Sequence, residues 1–302
     1  MSKKHFVKRL ILIINKLRNS PCSFKEIQQY LCMQSDLDSE NYDISLRTFQ
    51  RDLKEIYLIF DIDIKPIHSK GLYTIDRDID DKNTDRLLEC FTLFDAISST
   101  EILSKDIHLE NRRPLGTEHM HELLIAIKNK LQVAFTHEKF WIENTEKQTR
   151  TVYPLALKEA RNRWYLVAQD SKDRVIKTFG LDRISDLEIT RRKFEAPSDF
   201  DAVKRFEHSF GIISDGTTPE KIRLCFSHRQ ADFIKSFPLH HSQTIVSENE
   251  YECIIELFLS PTYDFIMELL SIGKEVKVQE PESLKNKMIE VLQATLQQYI
   301  TN

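Results

Sequence analysis

The sequence predicts an α+β multidomain protein with a helical head, a central antiparallel sheet and a C-terminal unit of interleaved strands and helices. Three observations carry this fold class. Apolar residues recur at helical spacing up to residue 60, and from Leu131 the period changes to two. After the break Ser214-Asp215-Gly216-Thr217-Thr218-Pro219, strand and helix patterns alternate. The 302 residues are enough for two or three separate cores. The expected division is a head over 1–78, a helical linker over 79–130, a central sheet domain over 131–195 and a C-terminal domain over 212–302.

In the head, Phe6, Leu10, Ile13, Ile14 and Leu17 fall on one helical face, and Pro21 ends that helix. Ser23-Phe24-Lys25-Glu26 has the form of a capping box, starting a second helix of about three turns. A polar loop is expected from Ser35 to Asp43, after which Ser45 caps a third helix, Leu46 to Phe60. Its apolar stripe is Leu46, Phe49, Leu53 and Ile56, with Arg47, Thr48, Gln50, Arg51 and Lys54 largely off it. Two strands, Ile62 to Ile67 and Leu72 to Ile75, flank a glycine turn at His68-Ser69-Lys70-Gly71. Three helices and a hairpin are the order of a winged helix-turn-helix. The stripe then docks the third helix, Arg47, Thr48, Gln50, Arg51 and Lys54 face the major groove, and Lys70 meets phosphate at the wing tip.

Helices are expected over 84–103 and 117–130, joined by a loop at Asn111-Arg112-Arg113-Pro114-Leu115-Gly116. Alternating runs at Leu131–Phe135, Val152–Leu157, Trp164–Ala168, Val175–Phe179 and Leu187–Thr190 give four or five short strands, a barrel-like sheet. Alternation puts Trp164 and Leu166 on the core face and Tyr165 on the open face. The last ninety residues read strand, helix, strand, strand, helix, strand and a final helix, a split βαβ (ferredoxin-like) arrangement with one added helix.

The net charge of −4 conceals an alternation. Residues 1–75 hold 12 basic and 9 acidic side chains, residues 76–146 hold 9 and 15, residues 147–193 hold 12 and 6, and residues 194–302 hold 10 and 17. Each basic block coincides with a motif, and local charge decides phosphate attraction because screening sets in beyond about 8 Å. No apolar run approaches the roughly 20 residues of a membrane span, and no signal-peptide pattern opens the chain, so a cytoplasmic protein with no membrane partner is expected. The five cysteines are scattered without a Cys-x-x-Cys pair, which argues against a disulfide framework or a zinc site. His119-x-His121 and His240-His241 read as solvated histidines, and Asp61-x-Asp63 as alternation in the wing strand. No phosphate loop, nucleophile elbow or paired carboxylates are visible, so no enzyme, metal or cofactor is expected.

Three ordered motifs follow the head. They are Arg150-Thr151-Val152-Tyr153-Pro154, Trp164-Tyr165-Leu166 and Phe179-Gly180-Leu181-Asp182-Arg183-Ile184. With Ser45-Leu46-Arg47-Thr48-Phe49-Gln50-Arg51-Asp52-Leu53, they resemble the WYL-domain family of bacterial transcription regulators, in which a WCX extension follows the WYL domain. The resemblance covers nearly the whole chain. It implies an Sm-like small β-barrel that senses nucleic-acid-like ligands, and a homodimer that controls phage-defence or DNA-damage genes. Relatives often carry a basic residue where this chain has Gly180. The residues expected to hold a nucleotide or oligonucleotide effector are Arg150 and Arg183, as bidentate phosphate donors, with Tyr153 and Tyr165 as stacking or hydroxyl groups. Asp182 is the obvious ion-pair partner for either arginine. The expected function is a regulator, acting as a repressor, that binds double-stranded operator DNA. The alternative is an RNA- or single-strand-binding accessory protein that modulates a defence nuclease.

Overall fold

Helix α1 (Lys3–Asn19) buries Leu10, Ile13, Ile14 and Leu17 along one stripe, as its spacing requires. In this computed structural model, residues 3–38, 40–75, 86, 88–90, 92, 116–139 and 147–300 are described. They fall into two units that divide near residue 111. The expected helix over 84–103 and the loop over 111–115 lie largely outside the described residues.

In the first unit the capping box forms. The Ser23 amide and hydroxyl donate to Glu26 Oε2 at 2.7 Å each, and the Glu26 amide donates to Ser23 Oγ at 3.3 Å. These bonds hold the Glu26 carboxyl below its ordinary pKa, the Ser23 backbone amide contributing most. Helix α2 (Phe24–Asp38) runs further than expected. The Ser35 hydroxyl donates to the Leu31 carbonyl and accepts from the Tyr42 amide, so the polar stretch starts inside the helix. Ser45 Oγ accepts from the Thr48 amide at 3.2 Å and starts α3 (Leu46–Phe60). Strands β1 (Cys22–Ser23), β2 (Ile64–Ile67) and β3 (Leu72–Ile75) form a sheet in the order β1-β3-β2. The Phe49 ring meets Phe24 and Tyr73 at 5.3 and 4.9 Å, tying α3 to α2 and the sheet.

Two expectations about α3 need correction. Leu46, the first helical residue, is 46% exposed, whereas Asp52 is fully buried. The buried face is Phe49, Asp52, Ile56 and Phe60, and the stripe read from apolar residues alone passed over its acidic member. Asp52 accepts from Arg9 Nε at 2.8 Å and from Arg9 Nη2 at 3.0 Å, which fastens α3 to α1. Strand β2 also begins two residues late. Asp61 is the left-handed C-cap of α3 (φ 55°), and Asp63 pairs with Lys65, so this acidic pair precedes the strand.

The second unit opens with a turn at Gly116 and helix α4 (Met120–Asn129), which packs on a five-stranded antiparallel sheet. Its strands are β4 (Leu131–Glu138), β5 (Lys147–Ala160), β6 (Arg163–Asp170), β7 (Ile176–Gly180) and β8 (Ile184–Lys193), in the order β7-β6-β5-β4-β8. Among the described residues no ladder joins β7 to β8, so the hydrogen-bonded order is open; one short turn, Leu181–Arg183, connects them. Arg161 and Asn162 both have positive φ (50° and 59°) between the paired Ala160 and Arg163, a two-residue hairpin turn of the primed kind. Val133, Phe135, Val152, Leu166 and Phe179 fill the core, with Trp164 packed against it. Gly116 is required for space, since a Cβ there would sit 2.1 Å from the Leu181 carbonyl carbon.

A four-stranded antiparallel sheet follows: β9 (Glu220–Ser227), β10 (Thr244–Glu248), β11 (Glu252–Leu259) and β12 (Val276–Glu280), in the order β10-β11-β9-β12. Helices α6 (His228–Ser236), α7 (Tyr263–Ile272) and α8 (Glu282–Ile300) complete the β-α-β-β-α-β-α sequence. Ile222, Leu224 and Phe226 of the central β9 are fully buried. One helix was not expected: α5 (Ala202–Phe206), capped by Asp201, lies between the two sheets in sequence. Lys158 Nζ stands 4.8 Å over the Phe206 ring, and Arg161 pairs with Glu268 of α7, so the β5–β6 hairpin docks on the C-terminal region. His240 is a further correction, being buried and not solvated. Its ring nitrogens meet Ser242 Oγ at 2.8 Å and the Glu207 carbonyl at 3.0 Å, pinning the segment after α5. No helix among the described residues is long and apolar enough to cross a membrane.

Candidate nucleic-acid and ligand sites

On α3, the side chains opposite the buried face are Arg47, Gln50, Arg51 and Lys54, all exposed. Gln50 and Arg51 each lie three or four residues from both Arg47 and Lys54, which gathers the four on one side of the helix. Among the described residues no carboxylate pairs with Arg47, Arg51 or Lys54. Thr48 is half-buried and committed to the helix start, its hydroxyl 3.1 Å from Ser45 Oγ. Lys70 is exposed in the β2–β3 turn, where Gly71 takes φ +63°.

In the central sheet the four expected ligand residues do not share one face. Arg150 lies opposite Phe135 in the β4–β5 ladder, and directly opposed residues point to the same side, so Arg150 extends the core face. Its Nη2 donates to Gln148 Oε1 at 2.7 Å and its Nη1 to Asp170 Oδ2 at 3.4 Å, while its Nε is shielded from solvent without a hydrogen-bond partner. Asp170 is shared with Lys177 Nζ at 2.9 Å. Burial works against ionisation of Asp170, but the Lys172 amide and Lys177 more than offset it, and its pKa falls below the ordinary value.

Tyr153 is only 3% exposed. Phe194 packs on its ring at 5.2 Å and the Arg174 guanidinium lies 5.0 Å from its centroid, so the ring is already covered. Tyr165 is half-buried beside Gly180, its partner in β7. Burial raises its pKa, and Arg163 and Arg183 partly offset that rise. Gly180 is what lets Arg183 sit there. A Cβ at 180 would approach Asp182 Oδ1 to 2.6 Å and Arg183 Nη2 to 2.8 Å, so a longer side chain there would displace both. Asp182 is held mainly by Arg163 at 2.9 Å and stands 3.9 Å from Arg183 Nε.

The residue that joins the two arginines is His137 of β4. It pairs with Gln148 on one side and Ile184 on the other, which places it between the strand of Arg150 and the turn of Arg183. It is 7% exposed, packs edge-on against Phe179 at 5.3 Å, and its Nε2 has no hydrogen-bond partner. Burial, then Arg183 and Arg150, push its pKa down to about 4. The sequence carried a signal for it, because the β4 alternation puts His137 on the face of Val133 and Phe135. Arg150 and Arg183 thus flank His137, with Arg150 Nε and His137 Nε2 shielded from solvent without a hydrogen-bond partner. Since the unfolded chain protonates such a histidine first, its stabilising effect is complete above pH 6.5 and is lost as pH falls toward 4. His240, also near 4, acts in the same sense. Denaturation midpoints should therefore drop between pH 6.5 and 5, and His137→Leu should reduce that drop; an unchanged slope would place the effect elsewhere.

Residues 118–189 match the WYL domain and residues 218–296 the WCX domain. The chain is a WYL–WCX protein. The WYL match spans β4 to β8 and contains Arg150, Tyr153, Tyr165 and Arg183, and the WCX match spans the second sheet and most of α8. Among solved structures, this WYL–WCX protein is similar to proteasome accessory factor B/C (PafBC) of Arthrobacter aurescens, at 18% identity and a TM-score of 0.39. That match covers 97% of this chain and 47% of the other, so the chain spans about half the length of that protein. A second similar structure is a CRISPR Cas-related protein, at 13% identity and a TM-score of 0.29, with 74% of each chain covered. Comparison with curated proteins gives no match.

Proposed function

We propose that this WYL–WCX protein is a DNA-binding transcription regulator, acting as a repressor, with the first unit as a winged helix-turn-helix. The observation that carries the reading is the stripe Arg47, Gln50, Arg51 and Lys54, exposed on α3 opposite a face locked into the core. Long donors on the outer face of a rigid helix are what the major groove requires, and Lys70 at the hairpin tip adds a phosphate contact. The partner is double-stranded operator DNA, held by a homodimer. In support of the dimer, α8 leaves Ile289, Leu292, Leu296 and Tyr299 exposed at helical spacing.

The WYL domain, read as an Sm-like small barrel, senses a nucleotide or oligonucleotide through Arg150, His137 and Arg183, with Tyr165 alongside. Phosphate oxygens would satisfy the orphaned Arg150 Nε and His137 Nε2, and the WCX domain, read as ferredoxin-like, carries the change onward. The genes under control are of the phage-defence or DNA-damage kind.

The test is fluorescence anisotropy with duplex DNA from upstream of the chain's own coding sequence. Saturable binding with a steep salt dependence is expected, weakened about tenfold or more by Arg51→Ala or Arg47→Ala with no loss of stability. Equal affinity for a scrambled duplex at moderate salt would refute the reading.

A further inference from the structure

Neither domain match includes residues 190–217, yet this segment builds a cavity. The cavity has a volume of about 320 Å³ and lies where α5 and the loop before β9 meet the start of α7. A smaller hollow of about 200 Å³ adjoins it, shares Arg205, and reaches β7.

Three polar atoms on its lining residues are shielded from solvent without a hydrogen-bond partner: Arg205 Nε, His208 Nδ1 and Thr262 Oγ1. Thr262 is 5% exposed and holds the N-cap position of α7, but its hydroxyl makes no capping bond. Arg205 Nη2 reaches only the carbonyls of Ile176 and Ser214, both at 3.4 Å. Among the described residues no carboxylate pairs with Arg205. Asp215, on the rim, has Oδ1 occupied by the Thr217 amide at 3.0 Å and hydroxyl at 2.6 Å.

Buried polar groups in folded proteins almost always find partners, so three orphans around one cavity call for a polar occupant. A guanidinium N–H, a hydroxyl and an imidazole nitrogen, at the start of a helix, form a donor set for an oxyanion. Arg205 and His208 on one segment and Thr262 on another can each meet a separate terminal oxygen of a phosphate. The cavity leaves room for a small organic substituent, and its volume falls within the range of small-molecule sites.

We propose that this cavity binds inorganic phosphate or a small phosphomonoester through Arg205, His208 and Thr262, independently of Arg150 and Arg183. Arg205, which also donates to the Ile176 carbonyl of the WYL strand β7, and Thr262, at the start of the WCX helix α7, hold the same ligand, which so braces one domain on the other.

Calorimetric titration of the full chain with inorganic phosphate and with glycerol 3-phosphate tests this. Saturable binding of at least one is expected, weakened about tenfold or more by Arg205→Gln and by Thr262→Val, and retained in Arg183→Ala. Tighter binding of the ester assigns an organic phosphate; equal or weaker binding assigns free phosphate. Thr262→Val should leave the ligand-free melting temperature no lower, because the hydroxyl it removes is unpartnered. No saturable binding of either probe at millimolar concentration, undiminished binding in Arg205→Gln and Thr262→Val, or loss in Arg183→Ala would overturn the proposal.

Discussion

Asp52→Ala is expected to cost the first unit about 3 kcal/mol, because it removes the buried carboxylate that accepts from both Arg9 Nε and Arg9 Nη2. Arg9 and Asp52 are both in the interior, joined at 2.8 and 3.0 Å across the α1–α3 contact. A domain of this size has a total stability at the low end of about 5–15 kcal/mol, so the variant should populate an unfolded head at ambient temperature. Hydrogen exchange of α3 amides would report the loss directly. If Asp52→Ala were neutral, the pair would not be what fixes α3. Arg51→Ala next to it should change stability by less than about 0.5 kcal/mol, since its side chain is solvated. Neighbouring positions on one helix thus separate folding from recognition.

Arg183→Ala is expected to weaken binding of a short single-stranded oligonucleotide by roughly 10- to 100-fold, the value of a charged hydrogen bond of about 1.5–3 kcal/mol. Its side chain lies over Gly180, beside Tyr165 and within electrostatic reach of His137, at the margin of the core. Arg150→Ala should weaken the same binding, with Lys177 remaining to hold Asp170. Tyr153→Phe, by contrast, should change ligand affinity little, because the ring is enclosed by Phe194 and Arg174. Oligonucleotide binding unaffected by Arg183→Ala would remove this pocket from the account.

Much of the architecture was legible because it rests on local rules. The capping box at Ser23 and Glu26, the cap at Ser45 and the period-two strands all form where residue pattern places them. What the pattern missed depends on partners distant in sequence. Asp52 is polar, so a stripe read from apolar residues alone does not include it, and the partner that makes its burial tolerable, Arg9, lies 43 residues away. His240 is buried for the same kind of reason, its ring held by the Glu207 carbonyl 33 residues earlier. The ligand residues were chosen by type and motif, which gave Arg150 and Arg183 but not the face each occupies. The β4–β5 register turns Arg150 toward the core side and brings in His137, while tertiary packing covers Tyr153. Helix α5, at five residues, is too short to show a helical period.

The two sites matter together only if the ligand changes DNA affinity, and that requires it to favour one state of the protein over the other. The most direct measurement follows release of a labelled promoter duplex as a short single-stranded oligonucleotide is added to wild type and to Arg183→Ala. The oligonucleotide should release the duplex from wild type at concentrations that leave the Arg183→Ala complex intact. Coupling of the two sites is contradicted if wild type ignores the oligonucleotide, or if both proteins release the duplex alike, since that would be simple competition for α3.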